Sequence, residues 1–268
     1  MNDRESFATL AQTLAPWADQ LVFVGGWAHR LYRLHPKATR PAYQPLATLD
    51  ADVAFAERER LEGSIKLGLQ QAGFKEQLTG THRPPVSQYT LGDESGGFYA
   101  EFLTPLIGRG VTREGTPIAT LSKAGITAQR LRYLELLLHA PWKVELNSEW
   151  GADAPVDLRI PNPVSFIIQK LLIHEDRARD KKAQDILYIH DTLELFGADI
   201  DDLAVVWRDT VRGAMHVKWV NNLLSTKDAL FGQMNDQIRD AAVLPQDRQL
   251  EPERMRAMCH AALGEILE

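Results

Sequence analysis

Two aspartates in the first quarter of the chain have the type and spacing of residues that bind a metal ion. Asp50 and Asp52 lie in T-L-D-A-D-V-A-F, where polar and apolar residues alternate as in a half-buried strand. Because side chains repeat their direction every second residue in a strand, both carboxylates should lie on one face of it. Two carboxylates on one strand face are energetically unfavourable unless they contact water or a cation. Mg²⁺ prefers oxygen ligands and also binds phosphates. The pair therefore predicts a site for Mg²⁺ or Mn²⁺.

Glu101 supplies a third carboxylate, and Gly25-Gly26 supply a turn that a phosphate can approach. Glu101 lies between apolar residues in Y-A-E-F-L, and a strand carrying it beside Asp50 and Asp52 would complete a three-carboxylate site. The glycines follow a short apolar run and precede a helical pattern, so a phosphate could meet the backbone there. Taken singly, such residues are more often an ordinary tight turn, a solvated strand face and a hairpin surface. Their order favours phosphate chemistry, in which metals activate an attacking hydroxyl and stabilise leaving pyrophosphate.

Hydrophobic patterns place these residues on the strands and turns of a mixed first half. The predicted strands are 21–24, 48–55, 86–91, 98–103 and 156–160. The predicted helices are 5–14, 27–34 and 57–72, the last ended by Gly73. Two segments are expected to be loops, 36–45 with its three prolines and 106–125, and residues 131–138 fit a strand or a helix.

From about residue 163 the pattern becomes helical and glycine becomes scarce. Helices are predicted at 164–177 and 183–196, with about three more beyond them. We therefore expect an α+β fold with two domains, a catalytic one at 1–160 and a helical one at 161–268.

The composition is that of an ordinary globular protein. The chain has 268 residues, 44% hydrophobic and 25% charged, and its net charge of −6 argues against a protein coated in nucleic acid. The one cysteine, Cys259, excludes a disulfide framework and a cysteine-based zinc site. No apolar run approaches the roughly 20 residues that span a bilayer, and the first residues are too polar for a signal peptide. We expect a cytoplasmic protein with no membrane partner.

The order of the motifs resembles the nucleotidyltransferase superfamily, which has the DNA polymerase β-like fold. In its members a strand ends in Gly-Gly or Gly-Ser, a helix and a D-x-D strand follow, and a later strand carries a third acid. The matching segments here are V-F-V-G-G-W-A, T-L-D-A-D-V-A-F and Y-A-E-F-L, although the gap between the glycines and the D-x-D is longer than the minimal spacing. The resemblance implies a mixed sheet with helices, followed by a helical C-terminal domain. It also implies that Asp50, Asp52 and Glu101 are catalytic metal ligands and that Gly25 and Gly26 bind nucleotide.

The resemblance continues into the second half of the chain. The segments L-R-I-P-N-P-V-S-F-I-I-Q-K-L-L-I-H-E-D-R and K-K-A-Q-D-I-L are similar to a bacterial nucleotidyltransferase-fold subgroup related to type IV abortive-infection toxins. By that resemblance Lys170 is catalytic and binds nucleotide, and Lys182 and Asp185 also bind nucleotide. A lysine there can neutralise triphosphate charge. The residues alone also fit a snorkelling lysine and a routine Lys182–Asp185 ion pair on a helix.

These features predict a Mg²⁺-dependent nucleotidyltransferase. It would move a nucleoside monophosphate from an NTP, ATP among the candidates, to a hydroxyl of tRNA or other RNA, a protein or a small molecule. Two alternatives stay open. One is the toxin of a type IV toxin–antitoxin system, which would modify tRNA and have an antitoxin protein as its partner. The other is a non-catalytic nucleotide-binding regulator, against which the presence of all three acids counts.

Overall fold

The chain folds into two compact units, each with its own core. The computed structural model describes residues 2–80, 84–92, 97–108, 110–111 and 118–268. The units are Met1–Leu34 with Ala47–Pro161, and His35–Leu46 with Asn162–Glu268. A mixed sheet in the first unit and helices in the second confirm the predicted α+β fold. The catalytic role expected for residues 1–160 stays a prediction.

A seven-stranded mixed sheet is the centre of the first unit. Its strands are β1 (Val22–Val24), β2 (Asp50–Ala54), β3 (Lys75–Thr79), β4 (Val86–Leu91), β5 (Phe98–Pro105), β6 (Thr120–Lys123) and β7 (Ile126–Leu131). The main order is β1-β2-β5-β4-β3, with β7 beside the end of β5 and β6 beside β7. Strand β5 runs parallel to β2 and β7, and the remaining pairs are antiparallel. A separate antiparallel pair consists of β8 (Trp142–Leu146) and β9 (Val156–Ile160).

Four helices accompany the sheet in the first unit: α1 (Asp3–Leu14), α2 (Gly25–Leu31), α3 (Ile65–Gln71) and α4 (Leu134–Leu138). The helix predicted at 57–72 is wrong in its first half, because Gly63 has a φ of +76° and the Ser64 side chain caps α3. The predicted glycine stop is confirmed by Gly73, whose φ is +91°. The ambiguous segment 131–138 divides into the end of β7 and α4, with Tyr133 at a φ of +61° between them.

The two faces of the sheet are covered differently. One face is packed by an aromatic cluster in which Phe7 of α1 stacks on Trp27 at 4.1 Å and meets Phe23 edge-on. The other face carries an aliphatic cluster of Val22, Val24, Ala54 and Leu103 with Leu134 and Leu137 of α4. Helix α4 thus occupies the face on which the alternation of β2 places Asp50 and Asp52, beyond those residues along the strand.

The predicted strands are confirmed, whereas β3, β6 and β8 were not predicted, although W-K-V-E-L of β8 alternates between apolar and polar residues. The hairpin of β4 and β5 forms, while parts of its turn, residues 93–96, lie outside the described residues. The loop expected at 106–125 contains β6, and residues 109 and 112–117 of it lie outside the described residues. Strand β3, K-E-Q-L-T, is largely exposed at the sheet edge, which explains its weak hydrophobic alternation.

Helices form almost all of the second unit. They are α5 (Pro163–Ile173), α6 (Arg179–Leu195), α7 (Ile200–Val206), α8 (Val217–Phe231), α9 (Asp236–Ala242) and α10 (Pro252–Leu267). The buried Asn162 caps α5 by accepting from the Ser165 amide at 2.8 Å, and Pro163 follows at the first helical position. In the part of the chain that the structure describes, no helix combines the length and apolar character that crossing a bilayer requires.

The proline-rich segment 35–46 belongs to this helical unit. The Thr39 amide donates to the Leu195 carbonyl at 2.7 Å, and the Tyr43 hydroxyl donates to Glu194 at 2.8 Å. The Arg248 guanidinium lies 3.3 Å from the centre of the Tyr43 ring and pairs with the buried Asp191. The predicted loop is therefore an ordered segment tied to the end of α6.

We expect Arg248→Ala to destabilise the protein, because it leaves the Asp191 carboxylate buried without its guanidinium. The side chains of Arg248 and Asp191 are 13% and 2% exposed. Removing one partner of such a pair should lower the free energy of unfolding by about 3–5 kcal/mol. The control is Arg208→Ala, whose pair with Asp209 is exposed and should contribute less than about 1 kcal/mol. Denaturant titration measures both, and equal losses would contradict the assignment.

Candidate active site

Parallel pairing of β2 with β5 brings the three predicted acids onto one face of the sheet. Asp50 is the first and Asp52 the third residue of β2, so their side chains share a face. Asp52 lies opposite Glu101 in the register of the two strands, which places Glu101 on the same face. All three residues are half-buried. The carboxylates can therefore act together on one ligand.

Neutral donors contact two of these carboxylates. The Gln88 amide on β4 donates to Oε1 of Glu101 at 2.9 Å, and the Thr48 hydroxyl donates to Asp50. Burial raises the pKa of Glu101, and the charge of Asp50 adds to this rise, while the Gln88 hydrogen bond opposes it. Within the described ranges, no basic side chain forms an ion pair with Asp50 or Glu101. Asp50 and Glu101 therefore lie on one face with neutral hydrogen-bond donors beside them, and the charge of Asp50 acts on Glu101.

Tyr99 experiences the combined charge of the three acids. It lies opposite Asp50 in the β2–β5 register. Tyr99 is thus on the face of the sheet that carries Asp50, Asp52 and Glu101, which we call the acid face. Burial raises the pKa of Tyr99 to about 12, and the charges of Asp50, Glu101 and Asp52 all add to the increase. Tyr99 is therefore close enough to all three carboxylates for their charges to act on it.

This set of donors fits a hard divalent cation. Mg²⁺ is usually bound through one or two carboxylates together with phosphate oxygens and water, and the acid face offers three carboxylates on two adjacent strands. A cation there would offset the repulsion that contributes to the raised pKa of Glu101. The metal-binding role of Asp50, Asp52 and Glu101 stays a prediction with which this chemistry agrees.

Gly25 lies directly against one of the acids. Its φ is +64°, and a Cβ at this position would lie 2.4 Å from Oδ2 of Asp52. Both the left-handed backbone and the lack of space require glycine here. Gly26 follows as the second residue of α2. The turn that was predicted to bind phosphate is thus adjacent to the carboxylates.

In the second unit, Lys170 of α5 and Asp185 of α6 form a buried ion pair. Their Nζ and Oδ1 atoms are 2.8 Å apart, and the side chains are 7% and 1% exposed. The ammonium also lies 5.4 Å from the ring centres of Phe166 and Tyr188. Nε of Arg177 lies 3.0 Å from the other oxygen of Asp185. Two cations thus hold Asp185, and Lys170 is a buried charge rather than a snorkelling surface lysine.

Lys182 has a different partner from the one that its spacing suggests. Its Nζ lies 3.9 Å from Oε2 of Glu175, and its side chain is 19% exposed. The possible ion pair with Asp185 on the same helix does not form, because Asp185 faces Lys170 and Arg177. The nucleotide-binding role of Lys182 stays a prediction.

A further cluster in the second unit has the residue types of a metal site. His190, Asp191 and Glu194 each offer a ligand atom, and these atoms lie within 4.8 Å of one another. The Arg248 guanidinium already pairs with Asp191 and lies 3.8 Å from Glu194, which also accepts from the Tyr43 hydroxyl. Because a guanidinium already balances these carboxylates, we interpret the cluster as a structural ion-pair network.

A family model described as nucleotidyltransferase matches residues 5–212, more than half of the chain. The chain belongs to the nucleotidyltransferase family. The resemblance drawn from the motifs and the prediction of an enzyme of this class are thereby confirmed. The matched range of this nucleotidyltransferase includes the three acids of the first unit and the Lys170–Asp185 pair of the second.

One solved structure to which this nucleotidyltransferase is similar is MenT4, a nucleotidyltransferase toxin from Mycobacterium tuberculosis. The two share 14% sequence identity, and the comparison has a TM-score of 0.37 over 98% of this chain and 91% of that one. A comparison with curated proteins found no significant match.

Several neighbours of the predicted residues in this nucleotidyltransferase escaped the sequence analysis. Gln88 and Tyr99 contact or affect the acids, and both lie on strands that were correctly predicted. Their alternation with buried residues on β4 and β5 could have placed them on the half-exposed face. The helix predicted at 164–177 ends at Ile173, and Arg177 follows a 3-10 turn at His174–Asp176, so a helical position for Arg177 did not point to its contact with Asp185.

We expect Gly25→Ala to weaken nucleotide binding by at least about tenfold. This loss is similar in size to the loss of one charge-assisted hydrogen bond. The added methyl group would collide with the Asp52 carboxylate and displace it from the acid face. The matched control is Gly63→Ala, whose φ is +76° but whose Cβ would come no closer than 3.9 Å to Trp17.

Both changes strain a left-handed backbone position to a similar degree, by roughly 1–2 kcal/mol. Calorimetric titration with NTP and Mg²⁺, together with denaturant titration, therefore separates strain from displacement of the acid. Equal loss of nucleotide affinity in the two variants would contradict a specific role for the contact between Gly25 and Asp52.

Proposed function

We propose that this nucleotidyltransferase moves a nucleoside monophosphate from an NTP to an acceptor hydroxyl with the help of Mg²⁺ or Mn²⁺. The observation that carries the proposal is the register of β2 and β5, in which Asp52 lies opposite Glu101 with Gly25 against it. In the reaction a bond forms between the acceptor oxygen and the α-phosphorus, and the bond from that phosphorus to pyrophosphate breaks.

The three acids would hold the divalent cation, which when bound acidifies the acceptor hydroxyl and stabilises charge on the leaving pyrophosphate. The proton of the acceptor hydroxyl goes to Glu101 or Asp52. The Gln88 amide donates to Glu101 at 2.9 Å and keeps its carboxylate in place. Gln88 is therefore a positioning residue in this proposal.

The remaining residues act on the phosphates. Because glycine carries no side chain, the backbone at Gly25 and Gly26 would let the β- and γ-phosphates approach closely. In the second unit, Lys170 is a fixed cation that Asp185 and two aromatic rings orient. We propose that Lys170 contributes to triphosphate binding and that Asp185 and Lys182 support it.

The first acceptor to test is tRNA, because the pattern of a lysine followed by a later aspartate resembles that of type IV abortive-infection toxins. A toxin that modifies tRNA would use the same chemistry as the proposal and would have an antitoxin protein as its partner. A non-catalytic regulator would bind NTP and metal but transfer nothing. The experiment below separates these three possibilities.

The test is transfer of label from each α-labelled NTP, with Mg²⁺ or Mn²⁺, to tRNA, total RNA or cell extract. The double variant Asp50→Asn with Asp52→Asn should abolish transfer, with a loss of about 1000-fold or more, because amides are poor ligands for Mg²⁺. The matched control carries the same two changes at Asp199 and Asp201, the other Asp-x-Asp of the chain, which should leave transfer unchanged.

Three results would decide between the possibilities. Label on tRNA supports the toxin function, and label on another acceptor supports the transferase without it. Metal-dependent NTP binding by calorimetry with no transfer to any acceptor would favour the regulator. Transfer that survives the Asp50 and Asp52 changes would contradict the proposed site.

The role of Lys170 is tested in a variant that does not leave the buried Asp185 carboxylate without Lys170 as its partner. Because Asp185 is 1% exposed, Lys170→Met alone leaves a buried carboxylate with only Arg177 and should reduce stability. The double variant Lys170→Met with Asp185→Asn removes both charges and should retain the fold. We expect it to weaken NTP binding by about 10–100-fold, the value of a charged hydrogen bond.

The control for this experiment is Lys181→Met, since Lys181 is exposed and its ammonium donates to Gln184 on its own helix. Calorimetry with NTP and Mg²⁺ measures affinity, and melting temperature checks the fold of each variant. Equal NTP affinity in the double variant and the control would make the Lys170–Asp185 pair purely structural.

A further inference from the structure

Tyr99 is the aromatic residue of the acid face, and the proposed transfer reaction gives it no role. It lies opposite Asp50 in the β2–β5 register and two residues before Glu101, and it is half-buried. Burial and the charges of the three acids raise the pKa of Tyr99 to about 12. At neutral pH the phenol therefore keeps its proton and is an uncharged hydrogen-bond donor beside the carboxylates.

The Tyr99 hydroxyl forms no hydrogen bond in the ranges that the structure describes. Neutral side chains around the acids, in contrast, donate to acceptors within the protein: Thr48 to Asp50, Gln88 to Glu101, and Thr90 to the Lys75 carbonyl. Three other tyrosines also donate to acceptors of the fold: Tyr32 to the Pro161 carbonyl, Tyr43 to Glu194, and Tyr89 to Glu76. The donor of Tyr99 is thus available to a ligand that binds at the acids.

The order of the strands places Tyr99 on the side of the acids that faces away from the glycine turn. Strand β2 lies between β1 and β5 in the sheet. Gly25 directly follows β1 and lies against Asp52, whereas Tyr99 and Glu101 are on β5. Neighbouring strands are roughly 4.8 Å apart, so β1 and β5 are separated by about 10 Å. The aspartates of β2 therefore lie between the glycine turn and Tyr99.

This order fixes the side from which an acceptor would approach. In phosphoryl transfer the attacking and leaving oxygens lie roughly in line through the phosphorus. With the β- and γ-phosphates at Gly25, pyrophosphate leaves towards β1, and the acceptor hydroxyl must approach from the β5 side. A divalent cation accepts no hydrogen bond, so the group that can receive the proton of the Tyr99 hydroxyl on that side is an oxygen of the acceptor.

We propose that Tyr99 is an acceptor-binding residue, whose phenol hydroxyl donates a hydrogen bond to the acceptor substrate and holds its attacking hydroxyl on the β5 side of the acids. The inference rests on the proposed transfer reaction. The proton of the attacking hydroxyl goes to Glu101 or Asp52 as in that reaction, and Tyr99 keeps its own proton throughout.

The test is Tyr99→Phe, which removes the hydroxyl and keeps the ring. Label transfer from an α-labelled NTP with Mg²⁺ is measured while the concentration of the acceptor is varied. The probe is tRNA, or whichever RNA or extract component the natural chain labels. We expect the KM for the acceptor to rise about five- to tenfold, the effect of losing one hydrogen bond. The kcat should stay within about threefold, because the contact is already made when the acceptor binds.

The matched control is Tyr89→Phe, which removes the same hydroxyl from a neighbouring strand. Tyr89 lies opposite Ala100 in the β4–β5 register, on the other face of the sheet, and its hydroxyl donates to Glu76. This change should lower the melting temperature and leave the KM for the acceptor within about twofold. Calorimetry should give the same affinity for NTP and Mg²⁺ in the natural chain and in Tyr99→Phe, also within about twofold.

The possible results separate this inference from the proposed function. Absence of transfer by the natural chain to every acceptor would overturn the proposed function and this inference with it. Transfer by the natural chain with an unchanged acceptor KM in Tyr99→Phe would overturn this inference alone. A weaker NTP affinity in Tyr99→Phe, or a fall in kcat without a change in acceptor KM, would also overturn it, because the hydroxyl would then act on the nucleotide.

Discussion

The arrangement of the first unit depends on the parallel pairing of β2 with β5. That pairing sets Asp52 opposite Glu101 and Asp50 opposite Tyr99, so three carboxylates share one face at neighbouring positions. Their mutual repulsion opposes the pairing, and burial of the strands on the other face must offset it. The fully buried Ala51, Val53 and Phe102 supply that burial on alternate positions of the same two strands. Because side chains alternate between the two faces of a strand, apolar burial on one face can stabilise the strand pair while carboxylates repel each other on the other face.

Along the acid face, the character of the residues changes from charged to apolar within two positions of each strand. Asp52 and Glu101 are followed by Ala54 and Leu103, which pack beneath α4. This packing fixes the strands immediately next to the acids. A shift of β2 by one residue would turn Asp50 and Asp52 towards the buried face opposite α4, so the hydrophobic core specifies the geometry of the site.

The sequence allowed the acid face of β2 to be predicted, because alternation determines which side chains share a face. The neighbour of β2 was beyond such reasoning. Strand β5 follows β4 in a hairpin but also lies beside β2, a pairing set by long-range packing that no local pattern encodes. The same limit applies to Lys170, whose apolar surroundings predicted a helix while its contact with Asp185 on the next helix depends on how the two pack. Residues with a local signal, such as Gly73, were placed correctly.

The carboxylates of the acid face differ from several others in this chain in the partners that contact them. Asp185 is held by Lys170 and Arg177, Asp191 by Arg248, and Glu57 by Arg130. These partners are basic side chains that the fold itself provides. In the ranges that the structure describes, Asp50 and Glu101 receive hydrogen bonds only from the neutral Thr48 and Gln88. The chain thus supplies cations to Asp185, Asp191 and Glu57 but neutral donors to Asp50 and Glu101, an arrangement that suits a cation from solution.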